Sequence, residues 1–312
     1  DLNLGRVLSF KGNYVRADAQ FRNVVDRTAD VIIKVQATQD LAENLRYQGK
    51  LDQSLLRWYE ALKLSEEIAD SVEIVRACLG RGTVRFLRNE LEKATEDFEL
   101  FYQFNLRVQN EKEMAVGLSL LGLVEYKRGE YELCIEKNLA GYSIRKRIND
   151  LKGQGESLNN LALGYMGLKN WNQALQYLQE AAQIKTRAQD LTQMTVILNN
   201  MGHCYMQLKN TSEAMRYFKL ALAKGKQNGQ MGDVVNSYEN VIKLLRSSSK
   251  HESALNFQTE LLALKDSLAE EERIQAIHEV EVKYETQKKE QEITLLQQDN
   301  AGSYRVGKTG SA

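Results

Sequence analysis

Asparagine recurs at positions 160, 200 and 240, the same side chain at an interval of forty residues. A primary amide carries both a donor and an acceptor, so Asn160, Asn200 and Asn240 could each pair with the C=O and N–H of an extended peptide, irrespective of its side chains. Asparagine is a mediocre helix former, so helix propensity does not explain the placement. Each such bond contributes about 0.5 to 1.5 kcal/mol net, enough for three to orient a ligand but not to hold it tightly alone. Amides that cap turns or face water are the structural alternative. Asn159 and Asn199 precede this ladder, and His203, Lys243 and Arg246 lie one or two helical turns beyond it. Together they could form a polar, mildly cationic wall for an acidic group or a chain terminus, or an ordinary solvated groove. Phe86, Tyr126, Met166 and Met206 share a further column that could floor the groove or pack in the core.

Little else in the chain could do covalent chemistry. No GxGxxG, P-loop, HExxH or GxSxG is present, and the 3 histidines lack clustered carboxylate partners. The 3 cysteines, Cys78, Cys134 and Cys204, form no CxxC and fall in packing columns, Cys134 standing where other blocks carry alanine. They read as core residues rather than nucleophiles. Catalytic residues, a metal and a cofactor are therefore not expected, and the protein reads as non-enzymatic.

The elements that must position the asparagines repeat with them. In blocks of forty from residue 31, a small residue opens the motif at Ala42, Gly82, Gly122, Ala162 and Gly202, with Ile242 as the exception. Twelve residues later comes a second small column, Ser54, Ala94, Cys134, Ala174, Ala214 and Ala254, and each block ends on Asp30, Asp70, Asn110, Asp150, Asp190 or Gln230. Within LNNLALGYMGLKNWNQALQYLQEAA from Leu158 and LNNMGHCYMQLKNTSEAMRYFKLAL from Leu198, apolar residues recur at three and four, and LKN interrupts the period. Each block is thus a helix pair, and the small columns mark where two helices cross closely. Tyr165 and Tyr205 fill the gap beside the crossing. Composition agrees: the 312 residues contain no proline, which favours long helices. Lys+Arg 42 against Asp+Glu 42 leaves no basic excess for nucleic acid or an anionic membrane. No run approaches 18 apolar residues, so the chain itself inserts in no membrane.

The order Leu-Gly/Ala, Tyr, polar turn, aromatic and Ala-Leu resembles the tetratricopeptide repeat over residues 1–265. The family's usual period is about 34, so each pair here is longer by about one and a half helical turns. Asp or Asn replaces the family's terminal proline and can cap the following helix. The resemblance implies an all-α, right-handed superhelical α-solenoid of about seven pairs, with units near 1–30, 31–70, 71–110, 111–150, 151–190, 191–230 and 231–265. The first unit, with GNYVRADAQF at Gly12 to Phe21, has a short or partly missing first helix. A long C-terminal helix is expected over 266–300, beginning at about Leu268, with 301–312 a flexible or appended tail. In this family the first helix of each pair lines the groove, and an Asn at the column of Asn160, Asn200 and Asn240 commonly holds peptide backbone.

The stretch KYETQKKEQEITLLQQDN resembles the segment that closes the repeat array in tetratricopeptide sensor proteins of Bacteroidetes-type bacteria, where a membrane helix and a histidine kinase or DNA-binding regulator follow. That likeness implies the sensory or interaction part of a bacterial signalling protein. Its ligand would be a protein or peptide, it could form a homodimer through the C-terminal helix, and its location would be periplasmic, or otherwise cytoplasmic. A free-standing adaptor is the first alternative. A peptide-regulated response-regulator phosphatase is a weaker one, because that family places a helical bundle ahead of its repeats and here a second helix already begins near Tyr14. EEERIQAIHE around His278 is superficially similar to a kinase phosphoacceptor helix, but VEVKYETQ follows instead of the required continuation, so phosphoacceptor chemistry is not expected.

Overall fold

The structure, a computed structural model, describes residues 2–306. All regular elements among the described residues are helices. They come in pairs: α1 (Leu2–Phe10) with α2 (Tyr14–Arg27), α3 (Val31–Tyr47) with α4 (Leu51–Glu67), and α5 (Ser71–Leu87) with α6 (Leu91–Arg107). The array continues with α7 (Glu111–Arg128) and α8 (Tyr131–Arg147), α9 (Leu151–Gly167) and α10 (Trp171–Arg187), and α11 (Met194–Gln207) and α12 (Thr211–Gln227). The seventh pair is α13 (Met231–Ser247) and the start of α14 (His251–Val306). The chain divides into two compact units, Asp1–Leu264 and Lys265–Ala312, and the helix pairs make up the first.

The connections obey one local rule. The last turn closes with bonds such as Ala69 N to Glu66 O at 3.0 Å and Asp70 N to Ser65 O at 3.1 Å, and Ala69 takes a left-handed φ of 51°. The next residue then caps the following helix: Asp70 Oδ1 accepts from the N–H groups of Val72 and Glu73 at 2.9 and 3.1 Å. Asp30, Asn110, Asp150, Asn170 and Asn210 cap in the same way. At Asp30, Asp70, Asn110 and Asp150 the polar residue that ends a block is therefore the start signal of the next helix, whereas Gln230 stands at the N-cap of α13 without a side-chain bond.

One junction departs. Lys185 is wholly buried, and its Nζ donates to Asp190 Oδ2 at 2.9 Å. Asp190 also accepts from Thr192 N at 3.2 Å, Gln193 adopts a φ of 64°, and α11 starts only at Met194. This first helix has 14 residues where α9 has 17.

The small columns do what their sterics require. Ala94, Cys134, Ala174 and Ala214 are fully buried, and Ser54 Oγ donates to Ala42 O at 2.7 Å across the crossing. A Cβ on Gly202 would lie 2.5 Å from the Phe218 ring, so only glycine admits that packing. Tyr165 and Tyr205 stack on Tyr177 and Tyr217, each at 5.3 Å between ring centroids.

The C-terminal helix begins earlier than the sequence suggests. No glycine or proline interrupts residues 251–301, and Lys265-Asp266-Ser267 is no stronger a breaker than other helical text, so α14 runs unbroken from His251 past Leu268 to Val306. It thus enters the segment read as a tail, of which 307–312 lie outside the described residues, as does the His278 side chain. No described helix is long and apolar enough to cross a membrane.

Candidate functional site

Successive first helices approach one another, α3 with α5, α7 with α9 and α11 with α13, whereas successive second helices make no comparable approach among the described residues. An array closer on one side than the other bends toward that side, so the first helices line its inner surface. Hydrogen bonds mark these contacts: Gln36 Nε2 to Glu73 Oε1 at 3.4 Å, Asn200 Nδ2 to Asn159 Oδ1 at 3.1 Å and Asn199 Nδ2 to Ser237 Oγ at 2.8 Å.

The amides divide into two sets. Asn159 and Asn199 are buried, and their side chains tie α9 to α11 and α11 to α13. Asn160 and Asn240 are half-buried, with no side-chain hydrogen-bond partner among the described residues. Asn200 is intermediate in both respects, since its amide nitrogen is engaged by Asn159 while the side chain stays partly open. The ladder thus has free amides at its two ends and a tied one between them.

His203 lies one turn beyond Asn199 on α11. Its ring meets Trp171 edge-on at 5.9 Å between centroids, and its Nε2 lies 3.5 Å from the Gln207 amide nitrogen. Burial first, and the Lys243 charge second, hold the imidazole below its ordinary value, so it is neutral at pH 7. The cationic character of this wall therefore comes from Lys243 and Arg246, both exposed, with Arg246 Nη2 donating to Gln258 Oε1 at 2.7 Å. Asn199 Oδ1 and His203 Nδ1 are buried without a partner among the described residues.

The apolar column is half-buried. Tyr126 packs against Tyr131 at 5.7 Å, and the Lys127 ammonium sits 4.2 Å over the Phe86 ring while donating to Phe86 O at 2.9 Å. Met166 and Met206 pack against neighbouring core clusters.

At the other end of the array the corresponding column residue, Asp40, is paired with Arg6 at 2.6 Å, and burial raises its carboxyl above the usual value. Beside it, Glu43 pairs with Arg46, and Glu73 with Arg76 at 2.9 Å. Sequence reasoning missed these closures, although opposite charges three residues apart on one helix were a visible signal.

A second missed feature is a forty-residue column of buried polar residues, Ser65, Asn105, Arg145 and Lys185. Arg145 Nη1 donates to Ser119 Oγ at 3.1 Å, Gly153 O at 2.9 Å and Ser157 Oγ at 2.8 Å, joining three helices. In the third unit Asp97, 1% exposed, receives Arg81 at 2.6 Å and Arg85 at 2.7 Å. The cysteines are buried, and burial pushes the Cys134 thiol up to about 11 and Cys204 up to about 12, which makes both inert near neutrality. No group of His, Cys, Asp and Glu among the described residues could hold a metal ion.

Comparison with known proteins agrees with this geometry. Residues 153–227 match the family described as tetratricopeptide repeat, and no curated protein matches the chain. Among solved structures, the apo form of RapI superposes with a TM-score of 0.68 at 15% identity, over 86% of this chain and 97% of that one. A Rap protein complexed with competence and sporulation factor gives 0.64 at 16% identity, over 84% and 74% of the two chains. The Rap conjugation gene regulator of plasmid pLS20, in complex with the Phr* peptide, gives 0.65 at 14% identity, over 86% and 73%. Identities this low speak for the fold alone. Residues 153–227 thus match the tetratricopeptide repeat, and the forty-residue helix pairs on either side of that segment are similar to it in fold.

Proposed function

We propose that the array is a non-enzymatic binding module that holds an extended peptide or partner segment along the first-helix surface of α9, α11 and α13. The observation that carries this reading is the pair of unpartnered amides, Asn160 and Asn240, on that surface, with Asn200 between them. These amides remain open to water, and a ligand that supplies both a donor and an acceptor exchanges for that water at a net gain of about 0.5 to 1.5 kcal/mol per bond. Asn159 and Asn199 hold the neighbouring first helices in register, His203 packs edge-on against Trp171, and Lys243 and Arg246 place positive charge at the far end of the surface. Two superposable Rap proteins were captured with bound factors, competence and sporulation factor in one and the Phr* peptide in the other, which makes peptide the first ligand class to test.

The wider role, as the sensory or interaction part of a bacterial signalling protein, rests on the likeness of KYETQKKEQEITLLQQDN to the closing stretch of such sensors. A degenerate peptide library passed over the immobilised protein tests the binding reading. Peptides should be retained by the native array and lost from a variant with Asn160, Asn200 and Asn240 all replaced by alanine. Equal retention by the two proteins would refute it.

A further inference from the structure

At every internal junction the exposed side of a helix pair is covered by the first helix of the next. Ile135 on α8 lies under Gly164 of α9, so close that a Cβ there would come within 2.6 Å of it. Leu175 on α10 shares a core cluster with Met201 and Cys204 of α11, and Leu222 on α12 with Val234 and Val241 of α13. These three residues are 9%, 7% and 7% exposed.

Among the described residues the seventh pair repeats the pattern without the cover. Leu255 stands in the column of Ile135 and Leu175 but is 62% exposed, and Leu262, in the column of Leu222, is 60% exposed. Gln258 replaces the column's Leu178 and Phe218, both fully buried, and turns to Arg246 instead of filling the crevice. What remains is a depression of about 360 Å³ lined by Glu239, Ile242, Lys243, Arg246, Gln258 and Leu261. Its rim differs from the internal junctions in charge. Lys243 and Arg246 occupy columns that hold His203 and Met206 in the sixth unit and Leu163 and Met166 in the fifth. Against these two cations stands Glu239, itself engaged within the chain.

We propose that this end face, formed by α13 and the first turns of α14, docks an amphipathic helix of a partner protein, seated where an eighth first helix would lie. The array itself specifies the shape of the occupant, because each equivalent face is covered by one helix whose apolar stripe meets these columns. Charge specifies its flanks. A stripe bordered by Glu and Asp complements Lys243 and Arg246, whereas a basic border meets two like charges. The site shares Lys243 and Arg246 with the far end of the proposed peptide surface but uses none of the three ladder amides, so the alanine variant of the ladder separates the two readings.

Two synthetic 17-residue helices test this, alike in a Leu/Ala stripe but with Glu on both flanks in one and Lys in the other. Titrated against the full chain by fluorescence anisotropy, the Glu helix should bind at least tenfold more tightly than the Lys helix. Leu262→Glu, a substitution at an exposed position, should abolish that binding. Lys243→Glu combined with Arg246→Glu should invert the preference, and the Asn160, Asn200, Asn240 triple alanine variant should bind the Glu helix as the native protein does. Equal binding of the two helices, binding of neither, or Glu-helix binding that survives Leu262→Glu while the variant keeps its melting temperature would overturn the proposal. A dimer of the protein alone in sedimentation, dissolved by Leu262→Glu, would assign the face to a second copy and overturn the partner assignment as well.

Discussion

The first-helix surfaces of the second and third units and of the fifth to seventh units share one register but treat polar groups in opposite ways. In the former, Asp40, Glu43 and Glu73 each find an arginine, and the surface closes on itself. In the latter, the column of Asp40 holds asparagine, and the amides of Asn160 and Asn240 have no partner among the described residues. Position within a repeat thus fixes where a side chain points, while its chemistry decides whether that point is available. A charged residue in a helical array recruits an opposite charge from three or four residues away or from the next helix. An amide recruits no charge, and on this surface Asn159, Asn199 and Asn200 are tied to neighbouring first helices while Asn160 and Asn240 stay open.

The sharpest way to break this comparison is to disrupt the closed half and watch the open one. Asp97→Ala leaves the buried Arg81 and Arg85 guanidinium groups uncompensated, which should cost about 3 to 5 kcal/mol in a chemical unfolding experiment. Peptide affinity measured below the transition should stay unchanged, because repeat arrays couple only nearest neighbours. A parallel fall in affinity would show that the two halves are not independent.

Within the open half, Ala174→Leu or Ala214→Leu should cost about 1 to 3 kcal/mol by overpacking fully buried crossings. Leucine at the exposed Gln176 should be nearly silent. Equal effects at Ala174 and Gln176 would mean that the small columns do not set the helix spacing. Replacing the two free amides, Asn160 and Asn240, by alanine should weaken peptide binding by about 1 to 3 kcal/mol, two hydrogen bonds' worth. Thermal stability should be left nearly as it was.

Acid sharpens the contrast further. The folded His203 pKa is depressed, so below the ordinary imidazole value of about 6.5 the unfolded chain binds more protons at this residue than the folded one. The stability it contributes is present above about pH 6.5 and is lost as pH falls through the folded value. His203→Gln should remove that part of the acid dependence, measured as the difference between the two proteins' melting curves from pH 7.5 to 5. The smallest effect is expected at Asp40→Asn, which breaks a partly exposed ion pair and should change stability by less than about 1 kcal/mol while adding an amide to the closed half.

The helix pairs were legible because their determinants are local and repeated. Asp30, Asp70, Asn110 and Asp150, which end their blocks, cap the following helix, and the small residues sit where helices cross. The start of α14 was not legible, since a helix that continues carries no signal where a new one was expected. Of the site, the asparagine column was visible as a pattern, but its division into tied and free amides was not. Asn159 meets Asn200 across 41 residues and Asn199 meets Ser237 across 38, and such partners are chosen by packing between units rather than by spacing within one. Arg145 and Lys185 escaped notice for a related reason: in sequence both look like exposed cations near the end of a helix, and only the next unit buries them.

The central claim is that the amides read peptide backbone rather than side chains, and N-methylation tests it most directly. In a peptide retained by the array, each backbone nitrogen is methylated in turn, which deletes one donor and leaves every side chain in place. The account predicts losses of about tenfold at a few spaced positions, as expected for one hydrogen bond each, and predicts that Asn240→Ala makes one of those positions indifferent to methylation. Affinity unaffected by methylation at every position, or a pattern of losses that Asn160→Ala and Asn240→Ala both leave unchanged, would contradict it.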